Sequence, residues 1–269
     1  WCRHHLHLIT TNSNLLNISI NFYCGEVTRY NQPRKKLIIL ELKLSTASLT
    51  VNDSSIQELV ARARNAQAAY ESFTQEQVDA IVRDIGKFVF DNAEALARMA
   101  VDETNMGSYE DKILKNKGKA RVIWNNLKDK KSRGVIGEDT ETNLMLVAKP
   151  MGVVAAVTPV TNPIVTPMCN GMFALKTGNA VIFAPHPKAQ KCTEHLVLEF
   201  TKIVKSHDGP DDLVQVVTKG SVEKTQQLMQ SVDVVVATGG DAMVKSAYSS
   251  GRPSYGVGAG NVPVIIDRN

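Results

Sequence analysis

The sequence predicts an α/β protein in which a doubly wound, Rossmann-like parallel sheet follows a set of long helices and a hairpin. Three observations support this fold class. Apolar residues recur at helical spacing after Asp53, and a polar turn leads into an apolar strand before Pro150. From Gly152 onward, short β-branched runs alternate with segments of helical length, which is the pattern of a parallel sheet covered on both faces.

The long helices are predicted from two amphipathic repeats. Their apolar positions, three and four residues apart, are Ile56, Leu59, Val60 and Ala63 in the first repeat and Val78, Ile81, Val82, Ile85 and Val89 in the second. Such positions share one helix face. Asp53 or Ser54 is the expected N-cap of the first helix, and Asp91 or Asn92 that of "AEALARMAVDET". We assign residues 49–133 to an N-terminal helical part.

Two further segments border this helical part. Residues 1–48 are rich in Asn, Leu and Ile without a sustained helical period, so we treat them as an unassigned extension. Within them "HHLH" beside Cys2 offers metal ligands by count, but no second ligand cluster accompanies it, and we assign no metal. Residues 134–151 read as a hairpin arm with its turn at Glu138 to Thr142.

Residues 152–269 are predicted to form a nucleotide-binding α/β domain. The predicted strands are Val153–Thr158, Ala180–Ala184, Leu213–Thr218, Val232–Thr238 and Val262–Asp267. The intervening helices are predicted at Ile164–Lys176, Lys188–Lys205, Val222–Gln230 and Ala242–Ser249. Ligands of open parallel sheets bind outside the carboxyl ends of the strands, which here read "TPVTNP", "APHP", "TKGS" and "TGGD".

Composition narrows the choice of function. The net charge of +4 comes from 31 basic and 27 acidic residues without a long single-sign block, which argues against nucleic acid as a partner. No apolar run approaches the roughly 18 residues of a membrane span, and the N-terminal residues lack the order of a secretory signal. The four cysteines lack the spacing of a disulfide framework, so we expect a cytoplasmic protein with reduced thiols.

The glycines of "ATGGDAMVKSAYSSGRPSYGVGAGN" allow two interpretations. Gly239 and Gly240 stand at a strand end before a helix, where backbone N–H groups can face a phosphate. Neither this pair nor "GVGAG" matches the dinucleotide fingerprint G-x-G-x-x-G. Tight turns and phosphate binding therefore both remain open at this point.

From about Ser54 to the end, the sequence resembles the aldehyde dehydrogenase superfamily, and more closely its coenzyme A-acylating branch. The segments that resemble it are "ETNMGSYEDKILKN", "KPMGVVAAVTPVTNP", "APHPKAQKC" and the glycine-rich segment just quoted. The resemblance implies an oxidoreductase that interconverts an acyl-coenzyme A and an aldehyde, such as acetaldehyde or succinate semialdehyde. It also implies NAD or NADP as cofactor, coenzyme A as cosubstrate, and a homo-oligomeric intact parent.

The resemblance also implies which residues contact the cofactor. Most of them lie at or just after the predicted strand ends, and they are Thr158, Pro159, His186, Lys188, Thr238, Gly239, Gly240, Met243 and Gly258. Hydrolytic relatives place a lysine and a glutamate against the adenosine ribose, and Ala184 and Pro187 stand at those positions here. Loss of the carboxylate permits both NAD and NADP, and Lys188 can assist the latter.

Two departures from hydrolytic relatives concern the reaction. Their water-activating glutamate aligns with Val257, which cannot accept a proton, so a thioester should persist until the thiol of coenzyme A attacks it. The alternative is that Gly256 to Gly260 is only a turn and a base comes from elsewhere. Asn162 is the candidate oxyanion donor, although Thr161 aligns without a gap and Asn before Pro is also an ordinary turn.

The nucleophilic cysteine of the family lies beyond "VGAGNVP", so the resemblance implies that the catalytic domain is truncated and that this fragment is inactive. Trp1 in place of Met also suggests a fragment. Cys169, in an apolar helix, is expected to be a small hydrophobe, and Cys192 to have its pKa lowered by Lys188 and Lys191 but to lie in the wrong segment. The alternatives are a non-catalytic nucleotide-binding or interaction fragment, and a fragment of a hydrolytic aldehyde dehydrogenase.

Overall fold

The computed structural model describes residues 55–260 and 263–267 of the chain, and all of them fall within one compact unit, Val51–Asn269. The expectations for residues 1–48, the histidine cluster near Cys2, and the expected N-caps Asp53 and Ser54 lie outside the described residues. One hydrophobic core runs through the described residues, from Ile56 to Ala247.

Four helices precede the hairpin. They are α1 (Ile56–Tyr70), α2 (Gln75–Asp91), α3 (Ala93–Thr104) and α4 (Tyr109–Leu127). All the apolar positions predicted from the two repeats are buried. Ser55 and Thr74 are the N-caps of α1 and α2, and each forms a complete capping box. In these boxes the side chains of Glu58 and Gln77 accept the backbone N–H groups of the N-cap residues.

The other helix starts differ from the prediction in two respects. Asn92 holds the N-cap position of α3, as expected, but its side chain donates to the Phe88 carbonyl and caps no N–H group of α3. Helix α4 lies within the predicted helical part, residues 49–133, but no apolar repeat was assigned to it. Its buried residues are only Asn116, Ala120 and Leu127, so the sequence shows little apolar periodicity there.

The hairpin consists of β1 (Gly134–Asp139) and β2 (Leu144–Ala148), which pair antiparallel around a turn at residues 140–143. Asp139 holds this turn, because its carboxylate accepts N–H groups from Glu141 and Thr142. The hairpin was predicted, but Glu138 and Asp139, which were assigned to its turn, belong to β1. Most of its apolar side chains are exposed, including Val135 and Met145.

The α/β part is a five-stranded, all-parallel sheet in the order β5-β4-β3-β6-β7. Its strands are β3 (Val153–Thr158), β4 (Ala180–Pro185), β5 (Val214–Val216), β6 (Val234–Thr238) and β7 (Ser254–Val257). Its helices are α5 (Val165–Lys176), α6 (Gln190–Ser206), α7 (Val222–Ser231) and α8 (Asp241–Tyr248). This parallel sheet with its packed helices confirms the predicted fold class.

The last predicted strand is wrong. Residues 263–267 form no strand, and Val264, Ile265 and Ile266 are 78%, 95% and 88% exposed. The fifth strand is instead β7, within the glycine-rich segment. A β-branched run favours a strand only where neighbours can cover it, and no described residue buries this one.

Two contacts position β3 and β7. Gly152, with φ 121°, precedes β3 and lies against Asp233, whose carboxylate accepts the Val153 N–H at 2.8 Å and two N–H groups of Arg64. At one edge of the sheet, β7 pairs only with β6 among the described strands. The Gly256 N–H points away from β6 and donates to the Tyr248 hydroxyl at 3.2 Å.

Candidate functional site

The register of the sheet brings the ends of four strands into one row. Thr158 pairs with Pro185, Val157 with Ala237, and Thr238 with Val257. From β3 the strand order proceeds through β4 to β5 on one side and through β6 to β7 on the other. The carboxyl ends of β3 and β6 therefore flank the point at which the strand order reverses, where open α/β sheets bind ligands.

Thr158 lies at the centre of this row. Its carbonyl accepts the His186 N–H at 3.0 Å, which joins the ends of β3 and β4. The residue is only 2% exposed, yet its hydroxyl has no hydrogen-bond partner among the described residues. Buried hydroxyls are normally paired, so this one is a candidate ligand contact. Pro159 follows it, half-buried.

The end of β4 presents an exposed polar loop. The His186 ring accepts the Lys188 N–H through Nδ1 at 3.1 Å and so begins a short 3-10 helix, Pro187–Ala189. Lys188 is exposed, as is Pro187, whereas Ala184 is buried in the strand. Pro187 stands at the position where the resemblance places the ribose-binding glutamate, and it carries no carboxylate. The neighbouring Lys188 carries a positive charge instead.

The end of β6 presents backbone instead of side chains. Gly240 holds the N-cap position of α8, and no side chain caps this helix. The first N–H groups of a helix have no intrahelical partner, so they are available to an anion. A Cβ atom on Gly240 would meet nothing within 4 Å, and one on Gly239 would lie 3.3 Å from the Met243 Cβ atom.

These glycines are not explained by backbone strain. Gly239, Gly240 and Gly258 are absent from the positions with positive φ, so a residue with a side chain can adopt their backbone conformations. Gly258 lies beside α8, where an added Cβ would be 3.5 Å from a carboxylate oxygen of Asp241. Open space in front of an uncapped helix start favours close approach of a ligand over a tight turn.

Val257 ends β7 at the same edge of the sheet. Its carbonyl accepts the Gly239 N–H at 3.1 Å, and the residue is 57% exposed. An apolar side chain is thus presented next to the candidate cofactor site. Valine has no group that can accept a proton from water.

Asn162 follows β3 and is half-buried. Its Oδ1 atom accepts the Lys115 ammonium at 3.1 Å, which leaves its amide N–H groups free to donate. The neighbouring Thr161 is exposed, and its carbonyl accepts Lys112 at 3.5 Å. Lys112 and Lys115 also line a cleft of about 280 Å³ at the start of α4.

The cysteines differ from expectation in one respect. Burial raises the pKa of Cys169 to about 11, in keeping with its interpretation as a small hydrophobe. The expected lowering of the Cys192 pKa by lysines is wrong. Burial, together with a hydrogen bond and charge from Glu103, holds the pKa of this thiol far above its usual range. The Glu103 carboxylate also accepts the N–H groups of Lys191 and Cys192 and so caps α6.

Sequence reasoning missed the roles of Glu103, Lys112 and Lys115, although all three lie in the segment "ETNMGSYEDKILKN" that supported the resemblance. Their contacts span up to 89 positions in the sequence, and no local pattern encodes them. Among residues 55–260 and 263–267, no group of three or more His, Cys, Asp and Glu residues is placed to hold a metal ion. Within those same ranges no helix is both long and apolar enough to cross a bilayer.

Comparison with known proteins identifies the chain's relatives. The model of the aldehyde dehydrogenase family matches residues 42–261. A curated relative, the acetylating succinate-semialdehyde dehydrogenase of Clostridium kluyveri, is 53% identical over 217 residues, which are 81% of this chain and 48% of the relative. The chain therefore spans about half the length of the curated relatives it matches.

Two solved structures show the same similarity. An acetylating aldehyde dehydrogenase from Geobacillus thermoglucosidasius matches with a TM-score of 0.75 and 40% identity, over 77% of this chain and 46% of that one. An engineered glycolyl-CoA reductase with bound NADP+ matches with a TM-score of 0.67 and 33% identity, over 80% and 49% of the two chains. The family match covers most of the sequence, and the chain belongs to the aldehyde dehydrogenase family.

Proposed function

We propose that this chain is the cofactor-binding part of a coenzyme A-acylating aldehyde dehydrogenase. The reaction of the whole enzyme converts an aldehyde, coenzyme A and NAD(P)+ into an acyl-coenzyme A, NAD(P)H and a proton. The main support is the row at the sheet edge, where Thr158, with a buried and unpartnered hydroxyl, and the uncapped start of α8 follow the two strands that flank the reversal point.

The residues at this edge fit a dinucleotide. The helix start at Gly240 offers N–H groups to phosphate oxygens, and the Thr158 hydroxyl offers one hydrogen bond to a polar atom. Pro159, His186, Thr238, Met243 and Gly258 complete the proposed contacts. NAD or NADP, when bound, supplies the acceptor for a hydride.

Lys188 is proposed to decide between the two cofactors. Its exposed ammonium lies beside Pro187, where no carboxylate repels a 2′-phosphate. We therefore expect NADP to bind no worse than NAD. Lys188→Ala should weaken NADP binding by up to about fivefold, as for an exposed charge pair, and leave NAD binding unchanged.

The proposed division of chemical roles follows from Asn162 and Val257. With its Oδ1 atom held by Lys115, the Asn162 amide can donate to the oxygen that becomes negative when the aldehyde is attacked. Val257 activates no water, so transfer of the acyl group to a thiol is favoured over hydrolysis. Neither Cys169 nor Cys192 is proposed as nucleophile, because burial raises the pKa of both thiols.

Several coarser assignments complete the proposal. Residues 49–133 form the helical part, 134–151 the hairpin arm and 152–269 the nucleotide-binding part. The whole enzyme acts on a small-molecule aldehyde and is a cytoplasmic homo-oligomer. The cytoplasmic assignment is supported by cysteine usage typical of a reducing compartment.

The test is calorimetric titration of this chain with NADP+ and NAD+. Gly240→Asp should weaken the binding of both cofactors at least tenfold, because it adds a negative charge where phosphate oxygens are proposed to approach. The fold has open space for the new side chain. Gly118→Asp, on α4, also has nothing within 4 Å of its Cβ and serves as the matched control. If the two variants bind both cofactors like the unmodified chain, α8 is not the phosphate site and the proposal is wrong.

A further inference from the structure

Lys112, near the start of α4, lies at the wall of a cleft and has no role in the function proposed above. The cleft has a volume of about 280 Å³, and the loop before α4 and Thr161 also line it. Lys112 and Asn162 additionally border a small crevice that shares Lys112 with this cleft. The amine is therefore placed beside the asparagine proposed above as the oxyanion donor.

The side chain of Lys112 is packed against the loop before α4. Its Cε and Nζ atoms lie 3.3 and 3.7 Å from the point that a Cβ atom on Gly107 would occupy, so the lysine folds over this glycine. The Nζ atom donates to the Thr161 carbonyl at 3.5 Å, and among residues 55–260 and 263–267 it forms no ion pair. One long hydrogen bond compensates poorly for the water that this half-buried ammonium group has lost.

The groups around Lys112 add little negative charge. Lys115, an exposed residue of the same helix, carries a positive charge, and the Asp111 carboxylate lines the cleft but accepts a serine hydroxyl. From α6, Cys192 also acts on Lys112, but burial and Glu103 hold the pKa of this thiol far above its usual range, so it stays uncharged. Burial, with a smaller contribution from Lys115, holds the pKa of Lys112 below its usual range.

These surroundings favour a nucleophilic amine. An amine attacks carbon only when it is unprotonated, and desolvation or a nearby cation is what makes lysines nucleophilic in proteins. The volume of the cleft is at the lower end of the range for small-molecule sites, which is about 300–1,000 Å³. A short acyl group therefore fits the cleft, whereas a nucleotide has to stay outside it.

We infer that Lys112 is a modification site that accepts a short acyl group from an acyl-coenzyme A. The amine nitrogen attacks the thioester carbonyl carbon, a C–N bond forms as the C–S bond breaks, and coenzyme A leaves as a thiolate that takes up the proton released by nitrogen. The product is an uncharged amide whose acyl group lies in the cleft. The inference rests on the proposed function, because that function supplies the acyl-coenzyme A.

The test incubates this chain with acetyl-coenzyme A at a pH of about 8 and follows acetylation by mass spectrometry. Cleavage after glutamate releases residues 111–138, a peptide that carries Lys112, Lys115, Lys117 and Lys119. Fragmentation of this peptide gives the rates of all four lysines in one sample. Lys112 should be acetylated at least about threefold faster than Lys119, an exposed lysine of the same helix.

Two further measurements test the cause of this preference. The rate at Lys112 should reach half of its maximum below a pH of about 10.4, the usual value for a free lysine side chain. In concentrated urea, Lys112 and Lys119 should be acetylated at the same rate, because the preference comes from the folded cleft and not from the neighbouring residues in the sequence.

Three outcomes would overturn the inference: equal rates at Lys112 and Lys119 in the folded chain, a midpoint at or above a pH of about 10.4, or a preference that persists in urea. Titration of the same preparation with NADP+ separates the two proposals. A chain that binds NADP+ but acetylates both lysines equally contradicts only the inference. A chain that acetylates Lys112 preferentially but binds neither NADP+ nor NAD+ contradicts only the proposed function.

Discussion

Individual glycines serve three different physical purposes in this chain. Gly152 combines a φ of 121° with a neighbour, Asp233, whose carboxylate oxygen would be 2.3 Å from an added Cβ atom. Gly240 has an ordinary backbone and open space in front of it. Gly118 lies within α4 with nothing near it, where glycine only adds flexibility to the unfolded chain.

At Gly152 we expect alanine to lower the free energy of unfolding by about 2–3 kcal/mol, because it strains the backbone and displaces the Asp233 carboxylate from Val153 and Arg64. Gly118→Ala should raise it by about 0.5–1 kcal/mol. Urea denaturation measures both. An unchanged free energy of unfolding in Gly152→Ala would show that the hydrogen bonds around Asp233 contribute little to stability.

At the scale of elements, a carboxylate in the interior of α2 is bonded to the residue that follows α6. The Asp84 carboxylate on α2 is hydrogen-bonded to Nε2 of His207, the residue just after α6, at 2.8 Å. It also forms an ion pair with Arg83. Burial alone would raise the pKa of Asp84, but hydrogen bonds from Arg83 and His207, with their charges, outweigh it and hold this pKa below its usual range. The α2–α6 contact is therefore favoured by the ionised carboxylate.

This contact predicts a dependence of stability on acid. Because the pKa of Asp84 is lower in the folded than in the unfolded chain, where it is about 3.9, its contribution is present above about pH 4 and lost as the pH falls through the folded value. Asp84→Asn should cost about 1 kcal/mol at pH 7 and less at pH 3. Urea denaturation at both pH values measures the difference, and an equal cost at both would contradict the role of the charge.

Elements were predictable where local pattern and burial agree. The strands β3 and β4, buried at every position, are apolar throughout and follow from the sequence alone. Helix α4 falls within the predicted helical part but was not predicted as a separate helix, because it packs through Asn116, Ala120 and Leu127, a face that is scarcely apolar. The run at Val262–Asp267 was wrongly predicted as a strand, because β propensity does not say which surface would cover a strand.

At the scale of the molecule, the row of strand ends was predictable, since every parallel sheet brings its carboxyl ends to one edge. The environment of Cys192 was not. Its lysine neighbours in sequence suggested a lowered pKa, but burial raises this pKa, and Glu103, which raises it further, belongs to a helix 89 positions earlier. Charges brought together by tertiary packing leave no mark in the local sequence.

The product of the whole enzyme should depend on Val257. Since the chain spans about half the length of its relatives, the test uses residues 1–269 joined to the C-terminal half of the Clostridium kluyveri relative. With coenzyme A and aldehyde, acyl-coenzyme A should predominate over free acid. Val257→Glu should raise the share of free acid by supplying a base for water, whereas Val257→Gln, of similar size, should not. Free acid as the main product of the unmodified chimera would contradict the acylating assignment.

The hydroxyl of Tyr248 also bears on how the protein behaves at high concentration. An unpaired strand edge is a template for a strand of another molecule, and self-association begins with its free N–H groups. On β7 the outward Gly256 N–H is already bonded to the hydroxyl of Tyr248, a residue that is 59% exposed. Tyr248→Phe keeps the ring but frees this N–H, so we expect larger species in light scattering as concentration rises, from a variant whose melting temperature is little changed. Identical scattering by the two proteins would show that the hydroxyl does not protect the edge.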